Sequence, residues 1–168
     1  MKFGPVSLDE AEGTILAHSV EAAQKPYSTQ FSYRIPKGTC LTSDHLDDLR
    51  EEGLSEVTVA RLEAGDVHED SAALRLAHAI VVDEAGQDLR ISGAGAGRVN
   101  LYATGCGVLR LDRTRIEAMN AVDPMISIAT VPDYHRVDAG GMVATIKIIS
   151  YAVPRRCWIL HAPERQAQ

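Results

Sequence analysis

Three cysteines are present and no two of them are close. Cys40, Cys106 and Cys157 stand far apart, without a C-x-x-C pair. The opening MKFGPVSLDEAEG carries no apolar leader. An odd, scattered cysteine set in such a chain reads as reduced thiols in the cytoplasm rather than a disulfide framework. No apolar run approaches the roughly 20 residues that span a bilayer, so no membrane partner is expected. Basic clusters are equally scarce. Beyond Arg155 and Arg156 none exists, and 17 Lys and Arg stand against 23 Asp and Glu, for a formal net charge of −6. Nucleic acid needs a positive stripe to neutralise its phosphates, so it is not expected as the main partner. A small anion held by one or two arginines remains compatible.

What is present is an ordinary globular composition, 45% hydrophobic and 24% charged over 168 residues. A chain of this length buries roughly two-thirds of its unfolded surface and needs no covalent or metal staple. Ser7 and Glu10 have the spacing of a reciprocal helix cap, but Gly13 limits that helix to one turn, and Thr14 to Val20 reads as a strand. Thr42 caps a helix with Asp44 in its first turn, Leu46 and Leu49 on one face and Gly53 at its C-terminal end. Val57 and Val59 alternate with polar residues as in a half-buried strand. A second helix is predicted from Asp66, capped reciprocally by Glu69, with Ala73, Leu76, Ala77 and Ile80 as its apolar stripe. After the DEAGQD turn the chain becomes strand-rich. LRIS, RVNLYA, VLRLD, MISIATV and MVATIKIIS are separated by GAGAG, TGCG, VDP and DAGG turns, with one helix, TRIEAMN, capped by Asp112. The predicted class is α+β. A small helix-strand module over 1–65 precedes a helix plus a mostly antiparallel β-sandwich or barrel-like module over 66–152, and 153–168 forms a tail or linker.

The acidic residues first suggest chemistry. Asp47, Asp48, Glu51 and Glu52 fall opposite Leu46 and Leu49, where a solvated helix face accounts for them. Asp66, Glu69 and Asp70 fall at a helix start, where the helix dipole accounts for them. His68 and Glu69 lack a second His four residues on, so there is no H-E-x-x-H zinc geometry. The glycine run GAGAGR, 93–98, is followed by a strand pattern, whereas a dinucleotide fingerprint needs a helix there. What it leaves is a turn with Arg98 and Asn100 on one side of the following strand, where an arginine fork beside open amides would hold a phosphate or carboxylate. No G-x-S-x-G elbow is present, and no His lies near Cys40 or Cys106 in sequence to activate a nucleophile. VDAGGMVATIKII resembles the closing strand of lipoyl and biotinyl carrier domains. Lys147 lies within the alternating strand instead of at a hairpin tip, so no covalently bound cofactor is expected.

EAEGTILAHS, KGTCLTSDHLDDLREEGLSEVTVARLEAGDVHED, GRVNLYATGCGVLRLD, the pair Asn120 and Asp123 in MNAVDP, and GGMVATIKII follow one another in a recognisable order. Together, over about residues 5–153, they resemble the N-terminal region of molybdopterin-binding proteins of molybdenum-cofactor biosynthesis, relatives of molybdopterin molybdotransferase. In larger members that region precedes a molybdopterin-binding domain and sometimes a nucleotidyltransferase domain. The D-G-Y/F-A signature is replaced here by YSTQFSYRI, and the T-G-D-E-L and G-G-x-S-x-G motifs of the catalytic domain are not in the sequence. The resemblance therefore implies an accessory, non-catalytic module. Its ligand would be molybdopterin or a related pterin phosphate, and its partners a second copy or a downstream cofactor-binding or nucleotidyltransferase domain. Arg98, Asn100, Asn120 and Lys147 are the expected ligand contacts. The alternatives are a metal-dependent hydrolase or transferase built on Asp66, His68, Glu69 and Asp70, and a purely structural interaction domain.

Overall fold

Short strands of alternating polarity, each too narrow to bury its apolar side alone, pair in this chain into small antiparallel sheets. The computed structural model describes residues 1–23 and 32–154, and among them lie three α-helices and 13 strands, all paired antiparallel. This is the α+β class. The segment YSTQFSYRI falls partly, and Arg155, Arg156 and Cys157 wholly, outside the described residues. No described helix is long and apolar enough to cross a membrane. Two units are distinct, Met1–Ala64 and a second that begins at Gly65.

In the first unit, β1 (Lys2–Ser7), β5 (Glu56–Arg61) and β2 (Ile15–Leu16) form a three-stranded sheet with β5 central. β3 (Val20–Ala23) and β4 (Ser32–Ile35) pair separately. The strand expected over Thr14 to Val20 is thus broken in two. Ser7 caps a single 3-10 turn over Leu8–Glu10, accepting from the Asp9 amide. Helix α1 (Ser43–Glu51) begins at Thr42, whose amide donates to His45 Nδ1 at 3.2 Å, so a histidine fills the reciprocal position usually held by Glu or Gln. It ends at Gly53, φ +86°, where the Gly53 amide reaches the Arg50 carbonyl and the Leu54 amide the Leu49 carbonyl. That left-handed cap closes the helix over its own last turn. Leu46 and Leu49 are buried with Leu16, Leu41, Val57 and Val59. One acid departs from the expected solvated face. Asp48 is only 5% exposed and accepts a 2.6 Å bond from the Tyr33 hydroxyl. Burial, reinforced by that bond and by the Asp48 charge, pushes the Tyr33 phenol up to about 12.

The second unit opens with β6 (Asp66–His68), and helix α2 (Glu69–Ile80) follows. The helix therefore starts three residues later than Asp66, and its cap is His68, whose Nδ1 accepts from the Asp70 amide at 3.2 Å. The reason is tertiary. Asp66, Val67 and His68 pair with Pro154, Val153 and Ala152 of β13 (Ala152–Pro154), and Val153 is fully buried. Residues 153–154 thus belong to the fold and not to a tail.

The main sheet of this unit runs β10 (Ile126–Thr130), β12 (Met142–Ile148), β8 (Arg98–Ala103), β7 (Leu89–Ile91). It is an open four-stranded sheet, not a closed barrel. β9 (Gly107–Val108) and β11 (Arg136–Val137) form a separate two-stranded ribbon, so the VLRLD segment is strand for only its first residue. Helix α3 (Arg113–Asn120) is capped by Asp112, which accepts from the Arg115 amide at 3.1 Å. Val99, Leu101, Ile146 and Ile148 point from one face of the sheet into a core shared with Ala72, Ala73, Leu76 and Ala77 of α2. Three alanines on that helix face, all without exposure, let its backbone approach the sheet closely. Each of the larger buried aliphatic side chains contributes roughly 1.5–3 kcal/mol.

Candidate functional site

The glycine run and the acidic cluster, far apart in sequence, meet in the second unit. Gly95 and Arg98 exchange both backbone bonds at 3.1 Å, and the two residues between them, Ala96 at φ +49° and Gly97 at φ +69°, are both left-handed. This is the tight two-residue turn whose twist suits a hairpin entry. Asp70, in the first turn of α2, accepts from the Gly97 amide at 2.6 Å, while the Gly97 carbonyl accepts from the Ile148 amide at 2.8 Å. Lys147 Nζ donates to the Ala96 carbonyl. The Glu69 amide donates to the Tyr151 carbonyl at 2.9 Å. Burial, and then the Glu69 charge, raise the Tyr151 phenol.

These contacts form a clasp. The turn is held to the start of α2 through the Gly97 amide and to β12 through the Gly97 and Ala96 carbonyls, while the amides of Gly95 and Arg98 are engaged within the turn itself. The anion cradle of open amides expected at this turn is therefore closed at those positions, with a carboxylate already bound to one of them. Asp70 and His68 have cap and turn partners of their own. Among the described residues no group of three or more His, Cys, Asp or Glu side chains is placed to hold a metal ion. Cys40 and Cys106 are exposed and unbridged.

The face of the main sheet turned away from α2 has the opposite electrostatic character. Along β8, Arg98, Asn100 and Tyr102 alternate with the buried Val99, Leu101 and Ala103. The register sets Lys147 opposite Arg98, Thr145 opposite Asn100, and Arg90 opposite Tyr102. Arg98 and Arg90 are exposed, and Lys147, Asn100, Tyr102 and Thr145 half-buried. Ser127 stands opposite Lys147 on β10. Three cations, two hydroxyls, an amide and a phenol thus share this face, and among the described residues of these four strands none of its positions is a carboxylate. Arg90 stacks on Tyr102 with its Cζ 4.8 Å from the ring centroid. Asn100 is held by Thr145, whose hydroxyl donates to its Oδ1 at 2.8 Å, and donates through Nδ2 to the Tyr102 hydroxyl at 3.2 Å.

No family model, curated protein or solved structure matches the chain. The structure brings Arg98, Asn100 and Lys147 together on one sheet face. Asn120 is elsewhere. At the end of α3 its Oδ1 accepts from the Ile128 amide at 2.7 Å and its Nδ2 donates to the Ile128 carbonyl at 3.0 Å. Both bonds pair with the outer edge of β10, so Asn120 acts as one added strand residue at that sheet margin. Arg90 and Tyr102 join the face without having been singled out from the sequence. Period-2 alternation puts Tyr102 beside Asn100 and Arg98, but only the β7 to β8 register brings Arg90 over its ring.

The chemistry available on this face is recognition. A guanidinium fork pairs with phosphate or carboxylate in two parallel hydrogen bonds, and a stacked aromatic ring offers a flat apolar surface. Asn100, fixed by its two neighbours, keeps a second amide hydrogen for an acceptor.

Proposed function

We propose that the chain is an accessory, non-catalytic module of molybdenum-cofactor biosynthesis, and that the outward face of its main sheet binds a pterin phosphate such as molybdopterin. The ordered resemblance over residues 5–153 motivates the cofactor class. The observation that carries the site is a carboxylate-free face bearing Arg90, Arg98 and Lys147 in a chain of net charge −6. The phosphate is assigned to Arg98 and Lys147, and the flat heterocycle to the side of Tyr102 and Asn100. The positive end of this face is also a surface on which a second copy or a downstream cofactor-binding domain would present a bound pterin.

Calorimetric titration of the purified chain with molybdopterin, or with its adenylylated form, tests this. Saturable binding is expected, weakened by about tenfold or more in Arg98→Gln, since a hydrogen bond to a charged group contributes about 1.5–3 kcal/mol. Binding should also fall as salt rises, because an exposed charge pair is screened. Absence of any heat with both ligands, under conditions where the chain is folded, would remove the ligand from the proposal.

A further inference from the structure

On the other side of the same sheet an open pocket is set against the core. A cavity of about 280 Å³ lies among the end of α2, helix α3 and the inner sheet face, floored by Leu101, Ile128, Val143 and Met119. An engineered apolar cavity of about 150 Å³ takes up benzene. A larger space with an apolar floor therefore suits a body bigger than a single ring. Its mouth is charged. Asp112 and Arg115 neutralise each other there at 3.2 Å, and Asp112 is further occupied as the α3 cap. Arg110 lines the same mouth, 5.6 Å from the Tyr134 ring centroid, and forms no ion pair among the described residues. Gln87, also at the mouth, is tied to the Asp83 amide and the Ile80 carbonyl. The mouth thus presents one uncompensated guanidinium above an apolar floor.

We propose that this cavity is a second binding site, for a small amphipathic anion with a fused bicyclic or comparably sized apolar body and a single carboxylate, sulfonate or phosphate that meets Arg110. It does not rest on the pterin reading, because it uses the inner face of the sheet and none of Arg90, Arg98, Asn100 or Lys147.

The test uses naphthalene sulfonate as the anionic probe and naphthol as its neutral counterpart, titrated into the whole chain with methyl chemical shifts as readout. Saturable binding of both is expected, with shifts centred on Leu101, Met119, Ile128 and Val143. Ala144→Leu, which fills the cavity, should abolish both titrations. Where that variant does not keep the wild-type methyl spectrum, Ala79→Phe, from an exposed position on α2 at the same cavity, tests the same occlusion. Arg110→Gln should weaken naphthalene sulfonate by about tenfold, from the loss of a charged hydrogen bond, and leave naphthol within about twofold. No saturable binding, shifts confined to the outward face of the sheet, or equal losses for both probes in Arg110→Gln would each overturn the proposal.

Discussion

Replacing Gly97 with alanine separates a structural clasp from a ligand cradle. At φ +69° the backbone of Gly97 is left-handed, a conformation that costs an L-residue roughly 1–2 kcal/mol. The new Cβ would stand 2.7 Å from the Ile148 carbonyl oxygen and 2.5 Å from Glu69 Oε2. The carboxylate can swing aside, but the carbonyl is backbone, fixed by the β10–β12–β8 ladder, so the turn itself must move. Forcing a methyl group into such a packed place costs about 1–3 kcal/mol. Movement also stretches the 2.6 Å bond from the Gly97 amide to Asp70. The stiffer unfolded chain returns about 0.4–1 kcal/mol. The net expectation is a loss of about 2–4 kcal/mol for the second unit. Gly95→Ala is the control. No atom lies within 4 Å of its Cβ and its φ is not positive, so it should keep its stability or gain up to about 1 kcal/mol from the stiffer unfolded chain.

The assay is urea unfolding followed at methyl signals of Leu101 and Ile146, because a chain of two units need not unfold in one step. In a thermal melt the same loss corresponds to roughly 4–8 °C per kcal/mol for a unit of about 100 residues. Equal stability of the two variants would refute the clasp. If both instead kept their stability and lost pterin-phosphate affinity, the glycine run would be the ligand cradle that its composition suggests.

Further expectations follow from other contacts. Asn120→Ala leaves the amide and carbonyl of Ile128 without their protein partner, and water reaches this sheet margin, so a loss of about 1–2 kcal/mol is expected together with faster hydrogen exchange at Ile128. Unchanged exchange there would show that the two bonds are not maintained in solution. For Tyr33 the folded phenol is raised to about 12 from an ordinary value near 10, so the folded state holds this proton more tightly. The stabilisation is complete below pH 10 and is lost as pH rises through about 12. Urea midpoints of the first unit should therefore fall across that window in the wild type and much less in Tyr33→Phe; parallel curves would remove this assignment.

The elements legible in the sequence are those with local causes. Thr42 and Gly53 bracket α1 because caps act within four residues of themselves, and Asp112 starts α3 for the same reason. The alternation of Arg98 to Ala103 gives both the strand and its buried side. What was not legible depends on residues distant along the chain. Asp66 carries a capping side chain, yet its backbone is taken by Pro154 and Val67 is needed in the core, so the cap passes to His68. Asp48 occupies a helical position that a wheel assigns to solvent, but the chain brings Tyr33 over it. Of the expected ligand residues, Arg98, Asn100 and Lys147 were brought together because alternation and one antiparallel register suffice. Asn120 went elsewhere because its amide matches a strand edge that the sequence does not announce.

The pairing of Arg98 with Lys147 bears on why this sheet face should be read as a recognition surface. Like charges directly opposite on an antiparallel pair are destabilising, by an amount comparable to the roughly 0.2–1 kcal/mol that a favourable pair contributes. Lys147 offsets part of this by donating to the Ala96 carbonyl, a bond that an uncharged donor would make without repelling Arg98. Structure alone therefore gives no reason for the second charge. The Asp70 carboxylate at the turn is engaged by the Gly97 amide and so serves the clasp. Reversing one member of the pair, Lys147→Glu, separates the two contributions. It should relieve the repulsion of Arg98 and leave stability equal or higher, while pterin-phosphate binding weakens by more than in Lys147→Gln. A variant that loses stability and keeps its affinity would place the second charge in the service of the fold.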